Sequence, residues 1–149
     1  FKQYSLDEIV KQAVRKYSQM FILKKIRLDY EPLNTEVITD EKWLLFVIEQ
    51  ILSNALKYTK KGSIHIYMEG GNFVIEDTGI GIWPEDLPRV FEKGFTGYNG
   101  RTDKKSTGIG LYLCKSVLTK MNHQIRLESE VDRGTKVYLG LERKKIRME

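Results

Sequence analysis

Apolar residues recur at helical spacing from the start of the chain, where Leu6, Ile9, Val10, Ala13, Val14 and Tyr17 follow Ser5. With Glu8 three residues beyond that serine, the pattern of a capping box predicts the first helix. Between Ile26 and Tyr30 the period shortens to two, as in a half-buried strand. Glu36-Val37-Ile38-Thr39 reads as a short edge strand before Asp40, which is placed to cap the next helix. There Leu44, Ile48, Ile51 and Ala55 form one buried stripe running to about Tyr58. Gly62 to Glu69 and Asn72 to Glu76 predict a β-hairpin across Gly70-Gly71. One helical turn is expected within residues 84–91, around Pro84 and Pro88. From Glu92 to Thr107 periodicity lapses and Gly94, Gly97 and Gly100 appear, predicting a long mobile loop of a length that is usually functional or disordered. A helix from Gly108 to about Met121 and strands over His123–Glu130 and Gly134–Leu141 complete the pattern, before a basic tail at residues 143–149. With no internal repeat or low-complexity linker, residues 1–149 are expected to be one domain.

Composition narrows the class without naming it. The chain has 149 residues, 41% hydrophobic and 30% charged, which suits a single core of ordinary size. Its net charge of +5 suits an anionic partner, but the charge is spread evenly and no nucleic-acid-binding module is recognisable, so DNA and RNA are not expected partners. Cys114 is the only cysteine, which excludes an intrachain disulfide and a cysteine metal cluster and fits a reducing, cytoplasmic setting. No run approaches the roughly 18 apolar residues of a membrane span, so direct membrane contact is not expected of this domain.

Three short motifs carry the chemistry. Asn54-Ala55-Leu56-Lys57 lies on the predicted second helix, where positions i and i+3 share a face. Magnesium bound to a nucleoside triphosphate takes oxygen ligands, and the amide oxygen of Asn54 would supply one without adding charge, while the Lys57 ammonium would meet phosphate oxygens. Taken alone, the same two residues suit the solvated face of an amphipathic helix. Asp77-Thr78-Gly79-Ile80-Gly81 follows a strand, where a carboxylate can accept from the exocyclic amino group of adenine and repel the carbonyl oxygen of guanine. Gly79 and Gly81 would allow a sharp turn and close approach to the base; an ordinary turn would also use them. Thr135, after Gly134, is placed to support the adenine edge, or is simply a β-branched strand residue. Thr107-Gly108-Ile109-Gly110-Leu111 opens the third helix, whose free N–H groups form an anion site, or merely a capped start. In the loop before it, Arg101 and Lys105 are candidate phosphate contacts, against the usual alternative of a solvated charge run.

In this order and spacing, the motifs resemble the ATP-binding catalytic domain of bacterial sensor histidine kinases, in the GHKL superfamily of Bergerat-fold ATPases. The resemblance covers nearly the whole chain. Gln50 to Tyr58 is similar to the N box, with Asn54 in the Mg-ligand place and Lys57 in the phosphate-contacting place. Asp77, Gly79 and Gly81 match the first glycine box, Phe91 and Phe95 the F box that anchors an ATP lid over about residues 92–107, Gly108 and Gly110 the second glycine box, and Gly134-Thr135 the closing Gly-Thr. The resemblance implies a two-layer α/β (α+β) sandwich, with a mixed, mostly antiparallel sheet of about five strands covered on one face by three helices. It also implies ATP and Mg2+ as ligands, a phosphoacceptor histidine helix and a response regulator as partners, a monomeric isolated domain, and a homodimeric parent in the cell membrane. The stretch from Lys93 to Arg101 is similar to the Gram-positive kinases that sense antimicrobial peptides.

Departures from the family pattern sharpen the functional reading. Three residues separate Phe91 from Phe95 where two are commoner, and Ser106 stands where a glycine often does. The ATPase and serine-kinase branches carry a glutamate four residues before the magnesium asparagine, where this chain has Gln50. An amide cannot serve as a general base, and Glu49 is rotated by about 100° around the helix. The expected function is therefore donation of the γ-phosphate to a histidine outside this chain, on a helix upstream of Phe1. Neither His65 nor His123 sits in a phosphoacceptor pattern, and both read as structural. A GHKL ATPase or serine kinase, and a non-catalytic nucleotide-binding module, are the alternatives.

Overall fold

Two β-sheets and four α-helices make up the described residues, 1–95 and 110–142, of the computed structural model. Strand β1 (Lys2–Ser5) pairs antiparallel with β3 (Glu36–Thr39) in a small sheet beside α1 (Leu6–Lys16) and α2 (Ser18–Lys24). The main sheet has five strands in the order β2 (Arg27–Tyr30), β4 (Ser63–Glu69), β5 (Asn72–Asp77), β7 (Gly134–Gly140) and β6 (Gln124–Glu130). Only β2 and β4 run parallel; the other three pairings are antiparallel. The expected mixed, mostly antiparallel sheet is present, and α1, α3 (Glu41–Tyr58) and α4 (Gly110–Lys120) supply the helical layer. Helix α3 packs against β5 and lies between α1 and α4.

The caps read from the sequence form. Ser5 Oγ accepts from the Glu8 N–H at 3.4 Å, and Asp40 Oδ1 accepts from the Trp43 N–H at 3.1 Å. Leu44, Val47, Ile48, Ile51, Leu52, Ala55 and Leu56 of α3 are buried against Ile64, Ile66, Phe73, Ile75, Val137 and Leu139 of the sheet. Each fully buried Leu or Ile there contributes roughly 1.5–3 kcal/mol by transfer out of water. Strand alternation directs these residues to the helices and puts His65, Tyr67, Glu76 and Lys136 on the opposite face.

Two elements depart from the sequence expectation. Strand β1 was hidden because Lys2-Gln3-Tyr4-Ser5 has no apolar alternation; it is held through pairing with β3 rather than by burying a face. Helix α2 adds a fourth, short helix that buries only Phe21. The single turn expected within residues 84–91 is a 3-10 turn at Leu87–Arg89. Most of the expected lid, residues 96–107, and the basic tail, residues 143–149, lie outside the described residues.

Candidate nucleotide site

The apolar face of the sheet ends in a polar row. Register pairs Asp77 on β5 with Thr135 on β7, and Thr135 with Ser129 on β6. These three residues extend the inward-facing row pattern of Ile75, Val137 and Leu127 by two positions along each strand. Asp77 is 9% exposed. Its Oδ1 accepts from the Gly79 N–H at 2.9 Å and from the Thr135 N–H at 3.3 Å, and among the described residues Oδ2 has no hydrogen-bond donor. Burial pushes the Asp77 carboxyl up to about 6, against the lowering effect of those two N–H donors.

The loop that follows Asp77 is fastened on two sides. Ile80 donates its N–H to the carbonyl of Tyr58, at the last residue of α3, at 3.1 Å. Toward the β6–β7 hairpin, Asp132 N–H donates to Ile80 O at 2.9 Å, and Ile82 N–H donates to Ser129 Oγ at 2.8 Å. Thr78 Oγ1 accepts from Ser63 N–H at 2.9 Å and ties the loop to the start of β4. The glycines have reasons within the protein as well as toward any ligand. A Cβ on Gly79 would stand 2.4 Å from Tyr58 O, and one on Gly81, where φ is 76°, would stand 2.2 Å from Glu130 O. Both are closer than atoms can approach, so a side chain at either position forces the loop off α3 or off the hairpin.

Helix α3 carries the other half of the candidate site. Gln50, Asn54 and Lys57 follow one another at helical spacing, and a Cβ on Gly110 would lie 3.5 Å from Gln50 Oε1. The first residue of α4 thus sits beside the face that presents Asn54. Asn54 and Lys57 are half-buried, and the Lys57 ammonium lies 5.3 Å from the centre of the Tyr58 ring. Glu49 is turned to α1, where it pairs with Lys16 at 3.0 Å. The rotation expected of Glu49 is what the fold uses, and it is not on the Gln50 face.

The aromatic segment beyond the 3-10 turn rests on cationic side chains. Lys115 Nζ lies 4.9 Å from the Phe91 ring centre, Arg89 4.6 Å from Phe95, and Lys93 5.9 Å from Tyr112. Phe91 and Leu111 are half-buried, with Leu111 in the first turn of α4. Arg101, Lys105, Thr107 and Gly108 lie outside the described residues. Among the described residues, no three His, Cys, Asp or Glu side chains converge as a metal site. A single neutral oxygen ligand such as Asn54 suits a cation that arrives with its own phosphate oxygens. The histidines are engaged in the scaffold: His65 contacts Glu31 and stacks on Tyr67 at 4.2 Å, and buried His123 Nε2 lies 3.0 Å from Thr39 Oγ1.

Ser129 is the one member of this arrangement that the sequence did not reveal. Nothing in its residue type marks it within the regular alternation of β6; only register with Thr135 brings it into the row.

Residues 39–145 match the family described as Histidine kinase-, DNA gyrase B-, and HSP90-like ATPase. The chain belongs to that family. It is 36% identical to the sensor histidine kinase YxdK of Bacillus subtilis over 143 residues, covering 89% of this chain and 43% of YxdK. It is 38% identical to the sensor protein BceS of Halalkalibacterium halodurans, covering 90% of this chain and 41% of BceS. It is 41% identical to the sensor histidine kinase GraS of Staphylococcus haemolyticus, covering 91% of this chain and 41% of GraS. The chain therefore spans about two fifths of the length of the curated relatives it matches. The same fold occurs in full-length ShkA in complex with AMPPNP, with a TM-score of 0.75, 24% identity, and coverage of 91% of this chain and 29% of ShkA. It also occurs in the catalytic domain of the histidine kinase ThkA, with a TM-score of 0.75, 19% identity and 93% coverage of both chains.

Proposed function

We propose that this domain binds Mg-ATP and donates the γ-phosphate to a histidine on a helix of a longer parent sensor kinase, for relay to a response-regulator aspartate. The observation that carries the reading is Asp77: a buried carboxylate with one oxygen held by two backbone N–H groups and the other left for a donor. The exocyclic amino group of adenine is such a donor, whereas guanine presents an acceptor at the same place. On α3, Asn54 offers a neutral oxygen to the cation and Lys57 an ammonium to the phosphates, while Gly110, the first residue of α4, lies beside Gln50 of the same helix. Bound Mg-ATP supplies the transferable phosphoryl group and a cation that offsets its charge. The protein residues orient and neutralise, and the position four residues before Asn54 holds an amide rather than a base to activate water. Gln50 cannot accept a proton, and Glu49 is committed to Lys16, which favours transfer to an external imidazole over hydrolysis.

The test uses the full-length parent and this domain side by side. With labelled ATP the parent should acquire acid-labile phosphohistidine, and Asn54→Ala should lower that labelling by about 100-fold or more while leaving thermal unfolding unchanged. The domain alone should bind ATP in calorimetry and hydrolyse it slowly. Rapid hydrolysis by the domain alone would move it to the ATPase branch, and unchanged labelling in Asn54→Ala would remove Asn54 from the site.

A further inference from the structure

We propose that Ser129 is a positioning residue that makes the Thr135 hydroxyl an obligate acceptor, so that the polar row reads the donor edge of adenine at two oxygens rather than one. This rests on the nucleotide reading above and extends it to a residue with no expected contact to the ligand.

The argument is a count of protons. Among the described residues Ser129 Oγ has three hydrogen-bonding neighbours: the Ile82 N–H at 2.8 Å, the Gly134 carbonyl oxygen at 3.0 Å and Thr135 Oγ1 at 2.8 Å. A serine hydroxyl has one proton and two lone pairs. The Ile82 amide can only donate, so it takes one lone pair. The Gly134 carbonyl can only accept, so it takes the proton. Thr135 must then donate its own proton into the remaining lone pair. Every hydrogen-bonding capacity of Ser129 is used in this arrangement, and the Thr135 hydroxyl is left with lone pairs alone.

Thr135 stands opposite Asp77 in the ladder and gives its backbone N–H to Asp77 Oδ1. Two oxygens in adjacent strands, Asp77 Oδ2 and Thr135 Oγ1, are thereby both acceptors at the end of one sheet face. An amino group with two hydrogens matches that pair, directly or through one water, and a carbonyl oxygen matches neither. Without Ser129 the Thr135 hydroxyl is free to rotate and donate, and the row loses half of its discrimination. The wiring also explains why the hydroxyl sits on β6, where the loop amide of Ile82 can lock it in place.

The experiment is calorimetry of Mg-ATP and Mg-GTP binding to the wild-type protein and to Ser129→Ala, Thr135→Val, Thr135→Ser and the Ser129→Ala/Thr135→Val double variant, with thermal unfolding of each. Ser129→Ala should narrow the ATP-to-GTP affinity ratio by about three- to tenfold, the worth of one hydrogen bond. Thr135→Ser should keep the wild-type ratio. In the Thr135→Val background, Ser129→Ala should narrow the ratio no further. An unchanged ratio in Ser129→Ala, even with both nucleotides weakened, would show that the serine only props the loop and would overturn the proposal. A further narrowing in the Thr135→Val background would overturn it too, since Ser129 would then act by another route. Should Ser129→Ala fail to fold, the Thr135→Val and Thr135→Ser pair still decides whether the hydroxyl reads the base. If the wild-type protein binds neither nucleotide, the nucleotide reading itself fails; if it binds ATP and only the ratio is insensitive, the wiring alone is wrong.

Discussion

The two ends of the candidate site are built by different physics. At the sheet end, Asp77, Thr135 and Ser129 are locked by strand register, and the loop from Thr78 to Ile82 is tied to α3, β4 and the β6–β7 hairpin by directed backbone and hydroxyl bonds. At the other end, apart from buried Val90, the described residues 89–95 meet their surroundings through cations over rings and an exposed Arg89–Glu92 pair at 3.2 Å. Contacts of the second kind are worth about 0–1 kcal/mol each at exposed positions. The proposed base end is thus organised without a ligand, whereas the proposed phosphate end has long charged side chains suited to an anion. Selectivity is expected to reside in the first and affinity for the triphosphate in the second.

Breaking the organised end should have the largest effect. Asp77→Asn replaces an anionic acceptor by an amide, and ATP affinity should drop by roughly 10- to 150-fold, the range for a hydrogen bond to a charged group. Stability should move the other way. The folded carboxyl sits near 6 against an ordinary value of 3.8, so the native state binds its proton more tightly than the unfolded chain does. Stability contributed by this group is therefore present below pH 3.8 and is lost as pH rises toward 6. At pH 7 the asparagine variant should melt at the wild-type temperature or above it while binding worse, a combination that a merely structural aspartate would not give.

The pH dependence of binding sharpens the same point with a smaller effect. With the Asp77 carboxylate as the proposed acceptor, ATP affinity should fall as pH is lowered through about 6, by up to about tenfold per unit. Titrating wild-type protein and Asp77→Asn in parallel removes the contribution of the phosphates, which titrate in both. The step should be present in the first and absent in the second. The smallest effect is expected at the other end: Lys115→Ala removes the cation over Phe91 and should cost at most about 1 kcal/mol in thermal unfolding and leave the ATP-to-GTP ratio unchanged.

Much of this was legible in the residues because the signals were local. Period and caps defined α1 and α3, Gly70-Gly71 the hairpin, and the strand-end position of Asp77 its candidate role. What stayed hidden depends on contacts far apart in sequence. Strand β1 gains its structure from residues 36–39, and α2 from the burial of one phenylalanine rather than an amphipathic stripe. The glycines at 79 and 81 looked like room for a base, yet the nearest neighbours of their missing side chains are carbonyl oxygens of Tyr58 and Glu130. Ser129 needed the register of β6 against β7, which the alternation of either strand alone does not specify.

The bond from Ile80 N–H to the Tyr58 carbonyl gives α3 the duties of a gauge. The last residue of that helix holds the loop proposed to read the base, and four residues back stands Asn54, the amide proposed to meet the cation, a separation of about 6 Å along the axis. The spacing between Asn54 and the anchor of the proposed base-reading loop is therefore inherited from helical pitch, a quantity that hardly varies, and not from the length of any loop. Inserting one residue between Asn54 and Tyr58 would change that length by only about 1.5 Å but would turn the amide by about 100° out of alignment. Tolerance to insertion should be far lower in that one turn than in the loops on either side of it.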